Sequence, residues 1–232
     1  MHRRGMRTLA LATVMLAALA APVFAAGKQI RVGGSASPAG PVSVGFTDDG
    51  VLGLDTNYGY PISCYSATGD GDITPGAQVA NGNKIGQISG LSSGDCTATD
   101  LNLPLVVEMS SGDLIVADDS VAAGDAVPVS IEGATFYFHS TGSPAYACEF
   151  SAEGSVDAVL EPGSSSVDGQ LALTPVTVGD DSTYKLEITA MDGDGNDTYS
   201  SCGGEIVTGD LAGPTVGLLS INTFGKGAVN HG

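Results

Sequence analysis

Tryptophan is absent from this 232-residue chain, histidine occurs three times, and lysine and arginine together only eight times. Arg3, Arg4 and Arg7 lie at the N-terminus. Beyond Ala25 only Lys28, Arg31, Lys84, Lys185 and Lys226 stand against 26 carboxylates, a formal charge of −21. Such a surface repels phosphate backbones and argues against nucleic acid as a partner. Beyond residue 25 no run is long and apolar enough to cross a bilayer as a helix, which takes about 20 residues. No long segment there has convincing helical periodicity. No Cys-x-x-Cys pair suggests zinc, and no glycine loop cradles a phosphate.

The shortage of bases also bears on catalysis. A Ser–His–Asp arrangement needs a base beside a nucleophile, yet no Gly-x-Ser-x-Gly elbow is present. His139, after Phe136-Tyr137-Phe138, reads as a strand-end residue, and the remaining histidine of this region, His231, falls in the C-terminal tail. Carboxylates concentrate in turn-like segments, and the indole rings that stack on sugars are missing, which argues against glycoside hydrolysis. The chain is expected to be a non-enzyme with no catalytic residues.

What is present points to export and to strands. Residues 1–25 have the layout of a signal peptide: a basic head, an apolar run from Leu9 to Ala20, and Val23-Phe24-Ala25 before the expected cut. The remaining 207 residues combine frequent Gly with Ser, Thr, Asp and Val, the mix of short strands joined by turns. Alternation at Val42-Val44-Phe46 and at Tyr184-Leu186-Ile188-Ala190 predicts half-buried strands. Val127, Val129 and Ile131 alternate, then Phe136 and Phe138 continue in the other phase; a bulge at Gly133 keeps all five on one face. Ile85, Ile88 and Leu91, with Gly86 and Gly90 between them, predict a bulged strand. Gly69-Asp70-Gly71-Asp72 reads as a turn, and Ser110-Ser111-Gly112-Asp113 as the turn of a hairpin. The expected fold is an all-β antiparallel β-sandwich or flattened barrel. It forms a single domain over 26–225, with a polar midpoint near 118–126 and a flexible tail over 226–232.

Four cysteines in an exported chain predict two disulfides. Of the three pairings, Cys64–Cys96 with Cys148–Cys202 is favoured, because each then staples its own half. In the chain-entropy model such loops contribute about 4 kcal/mol each. The sharpest local motif is Asp192-Gly193-Asp194-Gly195-Asn196-Asp197. Asp192, Asp194, Asn196 and Asp197 make a candidate weak calcium loop, but the closing bidentate Glu of an EF-hand is replaced by Gly203. An acidic hairpin turn is the competing reading, so no cofactor is expected beyond weak calcium. Lys28, Gln29, Ile30, Arg31 and Val32, tethered through the Gly33–Gly40 segment, form a candidate donor strand for self-association. The competing reading is that this strand pairs within its own sheet.

Between Cys64 and Leu105 the order is a cysteine followed by small residues and Gly69, a Gly-spaced apolar segment Ile85–Leu91, Cys96, and Leu103-Pro104. With the signal peptide, this order resembles the secreted proteins described as protein activators of alkane oxidation, the PraB-like family. The resemblance implies an extracellular or surface-associated non-enzyme tied to biofilm material or to contact with hydrocarbons. The expected function is thus an exported structural or surface protein that associates with itself or with other surface components. The alternative is a secreted calcium- or carbohydrate-binding module.

Overall fold

Nearly every alternating segment of the sequence is a strand. The structure, a computed structural model, describes residues 27–36, 40–48, 50–100, 102–141, 148–191 and 206–232. In chain order the strands are β1 (Ile30–Val32), β2 (Val42–Asp48), β3 (Leu52–Thr56), β4 (Ile62–Tyr65), β5 (Thr68–Ile73), β6 (Lys84–Ala98), β7 (Leu103–Met109) and β8 (Gly112–Val116). There follow β9 (Val127–Ser140), β10 (Glu149–Pro162), β11 (Gly169–Leu173), β12 (Leu186–Met191), β13 (Leu211–Val216), β14 (Leu218–Asn222) and β15 (Val229–His231). The helical structure among the described residues is a single 3-10 turn, Asp181–Thr183.

Strands β2 and β3 run in the same direction along one line, separated by a short interruption. The same holds for β4 with β5, β7 with β8 and β13 with β14, and β11 and β12 also run in the same direction along β10, though residues 174–185 loop out between them. Counted with the uninterrupted β6, β9 and β10, these make eight long staves. Every stave pairs antiparallel with the next in sequence. The last returns to the first: β14 pairs with β2 and β13 with β3. The result is an up-and-down meander closed into a flattened barrel, the all-β antiparallel architecture expected. Among the described residues every stave has a paired neighbour on both sides, which reduces the backbone template that an open sandwich offers to another chain.

Nearly every stave is kinked or interrupted near mid-length. Gly133, at φ 68°, is the extra residue between the pairs Gly154↔Ala134 and Ser155↔Glu132. This is the predicted bulge, and Val127, Val129, Ile131, Phe136 and Phe138 are all buried. In β6, register slips beside Ile85 and at Ser89 carry Ile85, Ile88 and Leu91 to the inside despite their spacing of three.

The sequence reading differs from the structure in three places. Gly69-Asp70-Gly71-Asp72 is not a turn but most of β5. A Cβ at Gly69 would collide with the carbonyl oxygen of Gly90, and one at Gly71 with that of Gln87, so glycine here permits close strand approach. Ser110-Ser111 does not reverse the chain: β7 and β8 both run antiparallel to β9, so the segment interrupts one stave. The tail expected to be flexible forms β15, with Val229 and His231 buried.

Apolar side chains fill the interior, including Phe46, Ile73, Leu105, Leu114, Leu171 and Leu219. Phe138 and Phe150, directly opposite each other, stack with ring centroids 4.3 Å apart. The outer face is polar: β9 turns Ser130, Glu132, Thr135, Tyr137 and His139 away from the core. This is the reverse of a barrel that shows an apolar band to lipid. No helix among the described residues is long and apolar enough to cross a membrane.

The ribbon of β1 and β15 lies outside the closed ring, in register Ile30↔His231 and Val32↔Val229. On its other side, Ile30 donates its N–H to Ala77 O at 2.9 Å, and Val79 donates to Lys28 O at 2.7 Å. The Lys28 ammonium donates to the carbonyl oxygens of Asp119 and Val121. The candidate donor strand Lys28–Val32 is therefore paired within its own chain, because Ile30 and Val32 find apolar cover there.

Candidate functional site

The disulfide cysteines are positioned by the sheet. Cys64 on β4 faces Cys96 on β6 directly, and the two are bonded across the strands. Cys148 is fully buried and also disulfide-bonded; Cys202 lies outside the described residues. The calcium candidates Asp192, Asp194, Asn196 and Asp197 lie outside them as well. Among the described residues no group of three or more His, Cys, Asp or Glu is arranged to hold a metal ion.

A concavity of about 630 Å³ lies on the outer face where the staves are kinked. Cross-strand register builds one of its walls: Thr68 faces Ser92, Ser92 faces Glu108, and Glu108 faces Tyr137. At the usual strand spacing of about 4.8 Å, this row of two hydroxyls, a carboxylate and a phenol spans roughly 14 Å. Each member sits at an outward position, and the Tyr137 ring is 46% exposed. Gly69, Gly90 and the buried Leu91 and Met109 also line the groove, and Asp70 stands opposite Gly90. A Cβ at Gly90 would meet its nearest neighbours, the carbonyl oxygens of Met109 and Ser110, at an ordinary 3.7 Å.

The kink that opens this groove has its own local support. Ser66, at φ 61°, separates β4 from β5. The Tyr65 carbonyl there accepts a hydrogen bond from the buried Ser93 hydroxyl at 2.6 Å. Satisfying that carbonyl lets the stave bend without leaving a buried acceptor unpaired.

Phe224 flanks the same face. Its φ is +51°, a conformation that is strained for a bulky residue, and its side chain is 64% exposed. Asn222 Oδ1 holds it by accepting from the Phe224 N–H at 2.7 Å. The ring lies over Gly45, where an added Cβ would come within 3.2 Å of Phe224 Cζ. Gly45 is directly opposite Asp70, so the ring stands on the far side of the groove's carboxylate from Tyr137.

Buried polar groups gather elsewhere. Asp55 is buried, and burial raises its carboxyl above the ordinary range; the Thr56 N–H opposes this and Asp100 adds to it. Burial also raises the Tyr184 phenol, helped by the charges of Asp55 and Asp181. Asp72, at the outer face of β5, is raised by burial against the pull of Lys84. Lys84 itself pairs with Asp113 at 2.7 Å. His139 stands between Val106 and Glu149 on the outer face.

Sequence reading missed the groove. Thr68, Asp70, Ser92 and Glu108 are distant in sequence and resemble ordinary solvated positions; only the register brings them together. The detectable signal was Tyr137, an aromatic at the polar phase of an alternating strand. No family model, curated protein or solved structure matched the chain.

Proposed function

We propose that the protein is an exported, non-enzymatic surface protein that works by recognition through the outer face of a closed barrel. The observation that carries this reading is the contrast in filling. The interior is occupied by apolar side chains, whereas a concavity of about 630 Å³ lies outside. A binding cavity inside a barrel needs unfilled volume. Here the chemistry accessible to a ligand is hydroxyls, carboxylates, glycine backbone and two exposed rings.

Two further features support the extracellular part. A cross-strand disulfide suits an oxidising compartment, and residues 1–25 have the layout of an export signal. The resemblance of Cys64–Leu105 to the PraB-like proteins agrees with a surface or biofilm role. The polar outer face favours polar polymers over hydrocarbon as the material touched. Self-association by strand donation is disfavoured, because β1 is paired on both sides. Any assembly would proceed through outer faces instead.

Cell fractionation with electron microscopy of the extracellular material tests this reading. The mature chain is expected outside the cell or at its surface, lacking residues 1–25. Recovery from the cytoplasm with those residues retained would contradict it.

A further inference from the structure

We propose that the outer groove is a binding site for a short, neutral or amino-bearing saccharide, held between Tyr137 and Phe224 over Gly69 and Gly90. The inference rests on the reading that the outer face is the working surface, and it adds the ligand class.

Three observations select a sugar. The first is the exposed ring of Tyr137 in the groove wall, with the exposed ring of Phe224 on the same face one strand beyond Asp70. A pyranose has a face of C–H groups that packs on an aromatic face, and rings at the margins of a shallow floor suit such stacking. Tyr137 and Phe224 take the part that tryptophan would otherwise play. The second is the polar set between them. Glu108 and Asp70 are carboxylates able to accept hydrogen bonds from sugar hydroxyls, and charge-assisted bonds of this kind are strong. Thr68, Ser89 and Ser92 add hydroxyls able to donate or accept. The third is the backbone of Phe224. A phenylalanine at φ +51°, exposed and pinned by Asn222, is a strained arrangement where glycine would fit without strain. Such outliers cluster at ligand clamps, where the surrounding structure holds them.

Other occupants fit less well. An extended peptide adds to a sheet through unpaired backbone groups, but β5, β6, β7 and β9 are each paired on both sides. An anionic polymer meets Asp70, Glu108 and the overall negative charge. A hydrocarbon would strip water from carboxylates and hydroxyls without replacing their hydrogen bonds.

Titration calorimetry on the mature chain tests the proposal with four trisaccharides: β-linked glucose, N-acetylglucosamine, glucosamine and galacturonic acid. At least one of the first three should bind at millimolar concentration or below, and the uronate should not. Tyr137→Ala and Phe224→Gly should each weaken the binding by about tenfold. Gly90→Leu, which projects a side chain into the groove from an unstrained position, should abolish it. Phe224→Gly and Gly90→Leu should both leave the melting temperature within a few degrees of the parent. No binding by any of the first three sugars overturns the proposal. So does binding that survives unchanged in Gly90→Leu and Tyr137→Ala, or uronate bound as well as the neutral sugars. Cleavage of a bound trisaccharide would refute the non-enzymatic reading above while leaving the groove assignment standing.

Discussion

The inner and outer faces of the same strands obey different rules. On β9, Ile131, Phe136 and Phe138 point inward and pack, while Glu132, Tyr137 and His139 point outward. Inward residues are fixed by volume: each must fill space left by its neighbours at close to crystal density. Outward residues are free of that demand, so a ring or carboxylate there reflects something other than folding. Exposed residues ordinarily change stability by no more than about 0.5 kcal/mol when replaced. A barrel that is filled within and grooved without therefore separates stability from recognition, and the two can be tested one at a time.

Removing an inner ring should show the largest effect. Phe138→Ala leaves a cavity against Phe150 and is expected to cost about 3–5 kcal/mol. For a chain of this size that lowers the melting temperature by about 6–20 °C, readable by calorimetry. Replacing Cys64 and Cys96 together by serine should cost about 2–4 kcal/mol, because the bond closes a 32-residue separation. The melting point of the double variant, compared with that of the parent under non-reducing conditions, checks this.

Gly71→Ala tests whether the glycines of β5 are there for close approach. A Cβ would collide with Gln87 O and crowd Phe46, so a loss of about 1–3 kcal/mol in denaturant unfolding is expected. If β5 were the solvated turn that its sequence suggests, the change would be near zero.

Asp55 breaks the simple division, because it is buried although charged. The segment between β11 and β12 covers its strand pair: Val176 donates its N–H to Pro214 O at 2.7 Å, and Gly213 lies against Val176 and Tyr184. The folded-state carboxyl is raised, so the folded form binds the proton more tightly than the unfolded form does. The contribution of this group is then full below the unfolded carboxylate value, near 3.9, and is lost as pH rises through the raised folded value. Asp55→Asn should accordingly stabilise the protein at neutral pH, and the difference from the parent should vanish in acid. Melting curves across pH 3–7 read this out. At the small end, Tyr137→Ala should shift stability by no more than about 0.5 kcal/mol.

The inner face was legible from sequence because packing imposes a period. Two apparent exceptions, the phase change at Gly133 and the spacing of three in β6, were readable as bulges, since no helix would place Gly86 and Gly90 inside it. Closure was less legible. The pairings β14–β2 and β13–β3 join ends of the chain with no local signal, so both a sandwich and a barrel remained open. Glycine misled where it served strand contact, as at Gly69 and Gly71, because the same residue marks turns. The tail misled for a related reason: Val229 and His231 are buried only because β1 and the barrel end are there to receive them. The groove had no linear signature, since its wall is a row across four strands.

Amide hydrogen exchange, resolved by residue, tests the closed barrel most directly. Open sheets exchange fastest at their edges, whereas a closed ring protects every stave by pairing on both sides. Amides of Gly45, Thr47, Ser220 and Asn222, the phase that faces across the closing seam, are expected to be protected as strongly as those of Val129 and Phe138 in β9. Protection in β9 with rapid exchange at those four seam amides would mean an open sheet, and would contradict the account.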